Sequence, residues 1–498
     1  MPTYADWKAP KTDARHLIWP SVDQILSEAR DERIASAART VMIQNLPLAE
    51  LRRRTRAHAG HPQDALLIAT GHQVELYHPG VWAKNVLLHT LQTRDSGVRG
   101  LHIAVDTDSP KHLQLRWPGG AVDLSDDVRL RTGEWSGQVR QPSAAHLRKV
   151  QSRFTEAMTQ WPFAPSIQPF FDSLNASQST HLMLPQAVLN AAAAVDKDLG
   201  LKHDATLLSP LLDGDGYLAL VHHIASDVER FANVYNTALA DYRTEAGIDS
   251  STRPMPDLRV TEDSIELPFW LDRLDTGDRA RATVVRNDTD NLWYLLGDDA
   301  AFAFDPAKNG DTASDALRAF CKKQSIRLTP RALTLTMFFR LLLVDQFVHG
   351  IGGGRYDQIT DRIIQNYFHT PAPAFAVTTA TLFFPGDQQR SSADCVSCLL
   401  AEGHRLKHSL VDKKIQLAAI AEAPRLSTVR KTAYLSLHHE IAQAAAQGTR
   451  LASWRERLQQ TLTQQEHERT LFDRELFYAI QPRERLLAMI DAYATSDS

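Results

Sequence analysis

Hydrophobic and polar positions change rhythm several times along this 498-residue chain. A short apolar run, Leu66-Leu67-Ile68-Ala69, closes on Thr70-Gly71. Apolar residues then recur at helical spacing over 81–91, and a second apolar run follows at 101–105. This pattern predicts strand, helix, strand. Two strands joined by a crossover helix within about 40 residues form a parallel pair, and open parallel sheets bind ligands beyond the carboxyl ends of their strands. Those ends are Thr70-Gly71-His72-Gln73 and Asp106-Thr107-Asp108, so a glycine, polar side chains and two carboxylates are expected to converge on one crevice.

The rest of the chain is read around this unit. Residues 1–61 carry a mostly helical pattern, with Arg52, Arg53, Arg54 and Arg56 on what reads as a solvated helix face, and are expected to be a helical lead-in. Residues 62–142 form the first half of an α/β core, and 143–260 a mainly helical insertion with a long amphipathic run at 217–245. Strand patterns at 267–270, 282–285 and 291–296 return in the second half of the core, 261–390. That half also holds an apolar helix over 333–348, a glycine loop at 350–354, a helix at 358–368 and a β-rich run at 374–384. From 391 to 498 the pattern predicts an antiparallel helical hairpin, 394–447 against 450–480, bent at Pro424 and broken at Gly448.

Composition narrows the function class. With 55 basic and 59 acidic side chains and a net charge of −4, neither nucleic acid nor an anionic membrane is an expected partner. Three cysteines are too few for a disulfide framework, and the N-terminus lacks a signal-peptide pattern, so a cytoplasmic location is expected. The most apolar stretch, 333–348, carries Arg340 and Asp345 and falls short of the ~20 apolar residues of a membrane span.

Several constellations carry candidate chemistry. Asp106 and Asp108, two apart at a strand end, would share a side and could hold magnesium, bind an amine or act as a base, or one could cap the next turn. Lys111 and His112 follow closely. His78-Pro79-Gly80 with Lys84 is similar to the HxGH signature of class I nucleotidylyl transferases and aminoacyl-tRNA synthetases, although Val81 replaces the second histidine and no KMSKS-like loop follows. The run His349-Gly350-Ile351-Gly352-Gly353-Gly354-Arg355-Tyr356-Asp357 allows backbone amides close to a ligand, but fits neither a P-loop nor a dinucleotide fingerprint. Cys395, Cys398, His404 and His408 are spaced somewhat like metal ligands, but the local pattern is continuous helix and no metal is expected. The pairs His222-His223 and His438-His439 read as packing or surface residues.

In their order, TGHQ at 70–73, Gly80-Val81-Trp82 with Lys84, Val105-Asp106-Thr107-Asp108, Thr329-Pro330-Arg331, the glycine turn with Tyr356, the β-rich 374–384 and the closing helices resemble the bacillithiol-synthesis cysteine-adding ligases. The resemblance spans 66 to the end. It implies a Rossmann-like core similar to class I nucleotidylyl transferases, helical insertions, and a C-terminal coiled coil that forms a homodimer. It implies a ligase joining cysteine to an amino-sugar conjugate such as glucosaminyl-malate, with ATP, and magnesium if required, as the activating system. Lys84, Asp106 and Asp108 would be catalytic. Thr70, Gly71, His72, Gln73, His78, Gly80, Arg331, Gly350, Gly352, Tyr356 and Asp357 would bind substrate and nucleotide. The chain departs from the family at His72, at 77–80, at 105–108 and at Gly352-Gly353-Gly354. These departures keep open a related ligase or nucleotidylyl transferase with another substrate, and a non-catalytic dimeric binding protein of the same fold.

Overall fold

Six strands share the principal sheet of this computed structural model, which describes residues 7–131, 134–386, 395–409, 411–447 and 449–496. They are β1 (Arg15–Trp19), β2 (Leu66–Gln73), β3 (Val98–Val105), β4 (Asp204–Leu207), β10 (Gln346–His349) and β11 (Phe375–Thr381). The intervening strands β5 (Ser264–Arg273), β6 (Arg279–Arg286), β7 (Trp293–Leu296), β8 (Ala301–Phe304) and β9 (Ile326–Pro330) make a second sheet. The principal order is β1-β11-β10-β2-β3-β4, parallel throughout except for antiparallel β1. The predicted parallel pair is present: Leu66 to Gln73 lie in register with Val98 to Val105.

The chain is α/β, but its halves are arranged differently from expectation. Residues 1–61 are not only helical, since β1 closes one edge of the sheet. The insertion at 143–260 supplies β4 at the other edge. The strands expected to extend the core at 267–296 belong instead to the separate antiparallel sheet, ordered β8-β7-β6-β5-β9. Alternation explains this: β6 buries Ala282 and Val284 while Arg281, Thr283 and Val285 face outward or partly so, the signature of a sheet covered on one face. In β2, Leu66 to Thr70 are all buried, as a central parallel strand requires.

Helix α1 (Pro79–Arg94) crosses from β2 to β3. It buries Trp82, Val86, Leu87, Leu88 and Leu91, each contributing roughly 2 kcal/mol. The apolar stretch at 333–348 is not one helix. Helix α2 (Ala332–Leu342) ends, and the chain becomes β10. Arg52 takes the carbonyls of Arg340, Leu341 and Val344, and Arg56 that of Leu343, so the free end of α2 is capped from the helix Leu48–His58. Arg52 and Arg56 both also meet buried Asp345, whose carboxylate accepts from the Leu67 amide. Two of the four arginines expected on a solvated face are therefore structural; Arg53 and Arg54 do pair with Glu50 nearer the surface.

The glycine stretch is not a loop: α3 (Ile351–Phe368) begins immediately after β10, with Gly352, Gly353 and Gly354 in its first turn. Gly354 is required there, because a Cβ would lie 2.4 Å from Val377.

These elements belong to one compact unit comprising Met1–Leu115, Val122–Leu382 and Arg474–Ser498; the second comprises Arg116–Ala121 and Phe383–Asp473. The second unit carries helices Val396–Ser409, Lys414–Glu422, Thr428–Gln447 and Thr449–Leu471. The expected pairing of 394–447 against 450–480 is present through the first helix of the first arm. Val396–Ser409 packs on Thr449–Leu471 through Leu399, Leu451 and Trp454, whose indole donates to the Leu399 carbonyl at 2.6 Å. Lys414–Glu422 packs on Thr428–Gln447 after the reversal at Pro424. Asp394, Gly448 and the His408 side chain lie outside the described residues. The last helix, Arg483–Ala494, belongs to the first unit, so the second arm stops at Leu471 rather than reaching Ile480. No described helix is long and apolar enough to cross a membrane.

Candidate functional site

The order in which strands are added to the sheet reverses between the parallel neighbours β2 and β10. From β2 the connections run toward β3 and β4, and from β10 toward β11. Beyond the carboxyl ends of these neighbours, α1 and α3 diverge, leaving a crevice of the kind in which open α/β sheets bind ligands. A cavity of about 590 Å³ occupies it. Gly71, His72, His78, Gly80 and Lys84 line one side, and His349, Gly350, Gly352, Gly353 and Arg355 the other. Thr379, Arg474, Glu475 and the stretch Trp7-Lys8-Ala9 complete it.

Both helices present their N-termini here. At α1 the neutral His78 ring caps, its Nδ1 accepting from the Gly80 amide at 3.1 Å. Burial, then Arg474, pushes the His78 pKa down to about 3. At α3 the cap is Gly350, which has no side chain to satisfy the first-turn amides. No side chain caps this end, and a Cβ at Gly350 or Gly352 would meet nothing within 4 Å, so there is open space beside the first turn of α3. Uncapped N-termini attract anions through unpaired N–H groups and the helix dipole.

Two cations reinforce this. Lys84 is buried, its Nζ donates to the Gly71 carbonyl at 2.7 Å, and burial brings its pKa down to about 7. Arg474 donates to Thr379 Oγ1 at 3.0 Å and to the Ala380 carbonyl at 3.2 Å, while its Nε has no partner. The segment carrying it is pinned where the Tyr478 amide donates to the Tyr77 carbonyl at 2.8 Å. Gly80 makes room, since a Cβ there would lie 2.4 Å from the guanidinium.

The remaining predicted residues divide. Thr70 is buried and bonds the Val348 carbonyl at 2.8 Å, tying β2 to β10 rather than facing ligand. His72 faces Glu75 at 3.0 Å, and burial and then Lys84 lower its pKa. Asp106 and Asp108 do not act as a pair. Asp106 is buried and accepts from the Ser209 amide and hydroxyl at 2.9 and 2.5 Å, while Asp108 accepts from Gln73 and the Ser109 amide. A tight turn after β3 separates their tasks, and neither lines the cavity. Arg331 is paired with Glu266 at 2.5 Å under the Trp270 ring, away from the crevice, because α2 starts at the end of β9 in the second sheet. Tyr356 is exposed near Tyr242 and does not line the cavity.

Asp357 sits behind the wall rather than on it. It accepts from His349 Nε2 at 2.8 Å, Arg340 at 2.7 Å and Thr336 at 2.7 Å. Burial opposes its charge, but Arg340 and His349 hold its carboxyl well below the usual range. His349 and Arg474 are the functional candidates that sequence reasoning missed. A histidine before a glycine turn at a strand end was a readable signal for His349; Arg474, 95 residues from Thr379 and about 400 from Gly80, had none.

Cys395 and Cys398 are exposed at the start of Val396–Ser409 in the second unit. Among the described residues no group of three or more His, Cys, Asp and Glu is arranged to hold a metal ion. No protein-family model matches the chain, and no curated protein matches it.

Proposed function

We propose that the chain is a nucleotide-dependent carbon–nitrogen ligase of the cysteine-adding kind, with a Rossmann-like core similar to class I nucleotidylyl transferases. The observation that carries the nucleotide half of this reading is the meeting of two helix N-termini with Lys84 and Arg474 in one cavity. The α3 amides and these cations suit phosphoryl oxygens and the negative charge that grows as an acyl group is activated. At α1 the Gly80, Val81 and Trp82 amides are taken by His78, and only the helix dipole contributes. Lys84, Arg474 and the α3 amides hold the phosphates of ATP. The described carboxylates do not fit a dedicated magnesium site, since Asp106 and Asp108 are each engaged separately; the ion would arrive on the nucleotide.

The acceptor half rests on the sequence resemblance. The cysteine carboxylate is activated, and the amine of an amino-sugar conjugate such as glucosaminyl-malate attacks it. In the second unit Ile415, Leu417, Val429 and Leu435 are exposed, which supports a coiled-coil pairing with a second copy. The cytoplasm supplies these substrates. The changed residues around the cavity favour, as a second reading, a related ligase with another amine.

Purified protein incubated with ATP, cysteine and glucosaminyl-malate should yield the amide, detected by mass spectrometry and dependent on ATP. ATP binding without that amide would overturn the cysteine-adding assignment and favour the second reading. No binding of ATP would overturn the ligase proposal altogether.

A further inference from the structure

Resting on that reading, we propose that His349 is the base that takes the proton from the amine nucleophile as the carbon–nitrogen bond forms. His349 ends β10, one residue before the uncapped start of α3, so it stands where the cavity's anion site begins. Its Nε2 is committed to Asp357 at 2.8 Å. In the neutral ring this contact keeps the proton on Nε2 and leaves Nδ1 as the acceptor. Nδ1 lies on the Gly353 side, 2.8 Å from where a Cβ of that residue would stand, so any side chain at 353 would crowd it. The ring itself lines the cavity.

The ring is fixed from three directions. Phe347 and Phe375 meet it edge-on, with centroids 4.7 and 5.3 Å away. Asp357 is itself locked by Arg340 and Thr336, and Arg340 also reaches Asp361 at 2.5 Å. A general base held this rigidly loses little geometry on proton transfer. The other cavity imidazoles are committed elsewhere: His78 Nδ1 caps α1, and His72 leans on Glu75 beside Lys84. Lys84, when charged, serves the anion.

The step balances. The amine lone pair attacks the activated carbonyl carbon and forms the carbon–nitrogen bond. The carbon–oxygen bond to the phosphoryl leaving group breaks with its electron pair. The proton displaced from nitrogen passes to His349 Nδ1. Asp357 acts through the ring and is a positioning residue.

Two measurements on the full chain test this. Nitrogen-15 spectra of the imidazoles, with His349 assigned from His349→Gln, should show the tautomer protonated at Nε2 and a shift at Nδ1 when ATP is added. A ring protonated at Nδ1 would overturn the proposal whether or not the chain makes amide. In turnover, His349→Gln should lower kcat by about 10²–10⁴-fold with a far smaller change in KM for ATP. Asp357→Asn should keep ATP binding but displace the pH–rate profile. An unchanged kcat in His349→Gln, or a larger loss in His72→Gln, would overturn the assignment while leaving the ligase reading intact.

Discussion

Trp82 lies flat against Tyr478, ring centroids 4.8 Å apart and planes 7° from parallel, and the polar atoms of both rings converge on the carboxylate of Asp196. Asn85 and His203 complete the set, at 3.0 and 2.9 Å. This buried network clamps α1 to the helix Leu184–Asp198 and to the returning C-terminal segment. Lys84 lies between Trp82 and Asn85 in sequence, and Arg474 four residues before Tyr478. One carboxylate thus holds in place the elements carrying both cations of the cavity.

Asp196→Ala should therefore act on stability and on binding together. Removing the acid leaves the Trp82, Asn85 and His203 donors without this acceptor, while the Tyr478 hydroxyl keeps the Ala192 carbonyl at 3.3 Å. The loss should be about 3–5 kcal/mol, as where a buried charged partner is taken away. A urea unfolding series should show this, and calorimetry on the folded fraction should show weaker ATP binding as Arg474 loosens. A loss under about 1 kcal/mol would mean that the network is incidental.

Asp106→Ala separates a structural carboxylate from a catalytic one. Asp106 caps the short 3-10 turn Ser209–Asp213 through Ser209, so its loss should cost about 1–3 kcal/mol. The folded variant should bind ATP as the parent does. A fully stable Asp106→Ala protein that no longer makes product would return this residue to the chemistry.

The central fold was legible where local pattern and tertiary role agree. The run 66–69 and the helical spacing of 81–91 specify a buried strand and a crossover helix, and both are where the pattern puts them. Legibility failed where distant partners decide. The end of α2 depends on Arg52 and Arg56, about 290 residues earlier, which take its last carbonyls and so let an apolar run break into helix and strand. Three glycines disfavour a helix locally, yet α3 starts on them because Gly354 packs against Val377. Of the site, His72, His78, Gly80, Lys84, Gly350 and Gly352 were legible from strand and helix ends. The pairing of Asp106 with Ser209, made across two strands, was not.

Binding at this cavity should depend on pH through Lys84. Burial lowers its pKa to about 7, and an anion favours the charged form, so binding is strongest below that value and weakens as the amine loses its proton. For a ligand that requires the charged form, the dissociation constant of ATP should rise about tenfold between pH 6 and pH 8. Calorimetry in buffers of different ionisation enthalpy should register proton uptake on binding near pH 8. Lys84→Met should bind more weakly at pH 6 and lose most of the slope; an unchanged slope would move the titrating group elsewhere.

Gly352 separates stability from function at the other helix start. A Cβ there meets nothing within 4 Å, so Gly352→Ala fits and should stabilise the helix by up to about 1 kcal/mol. Gly352→Asp adds a carboxylate to the first turn of α3, where the dipole rewards negative charge by about 0.3–1 kcal/mol. The same carboxylate occupies the amides and repels phosphate. Gly352→Asp should therefore melt no lower than the parent while binding ATP at least ~10-fold more weakly, because each lost factor of ten is only about 1.4 kcal/mol of anion stabilisation. Gly352→Ala should keep the parent's affinity. Thermal melts with and without ATP read both effects in one experiment, and equal ATP-induced shifts in the Ala and Asp variants would place the anion site away from the start of α3.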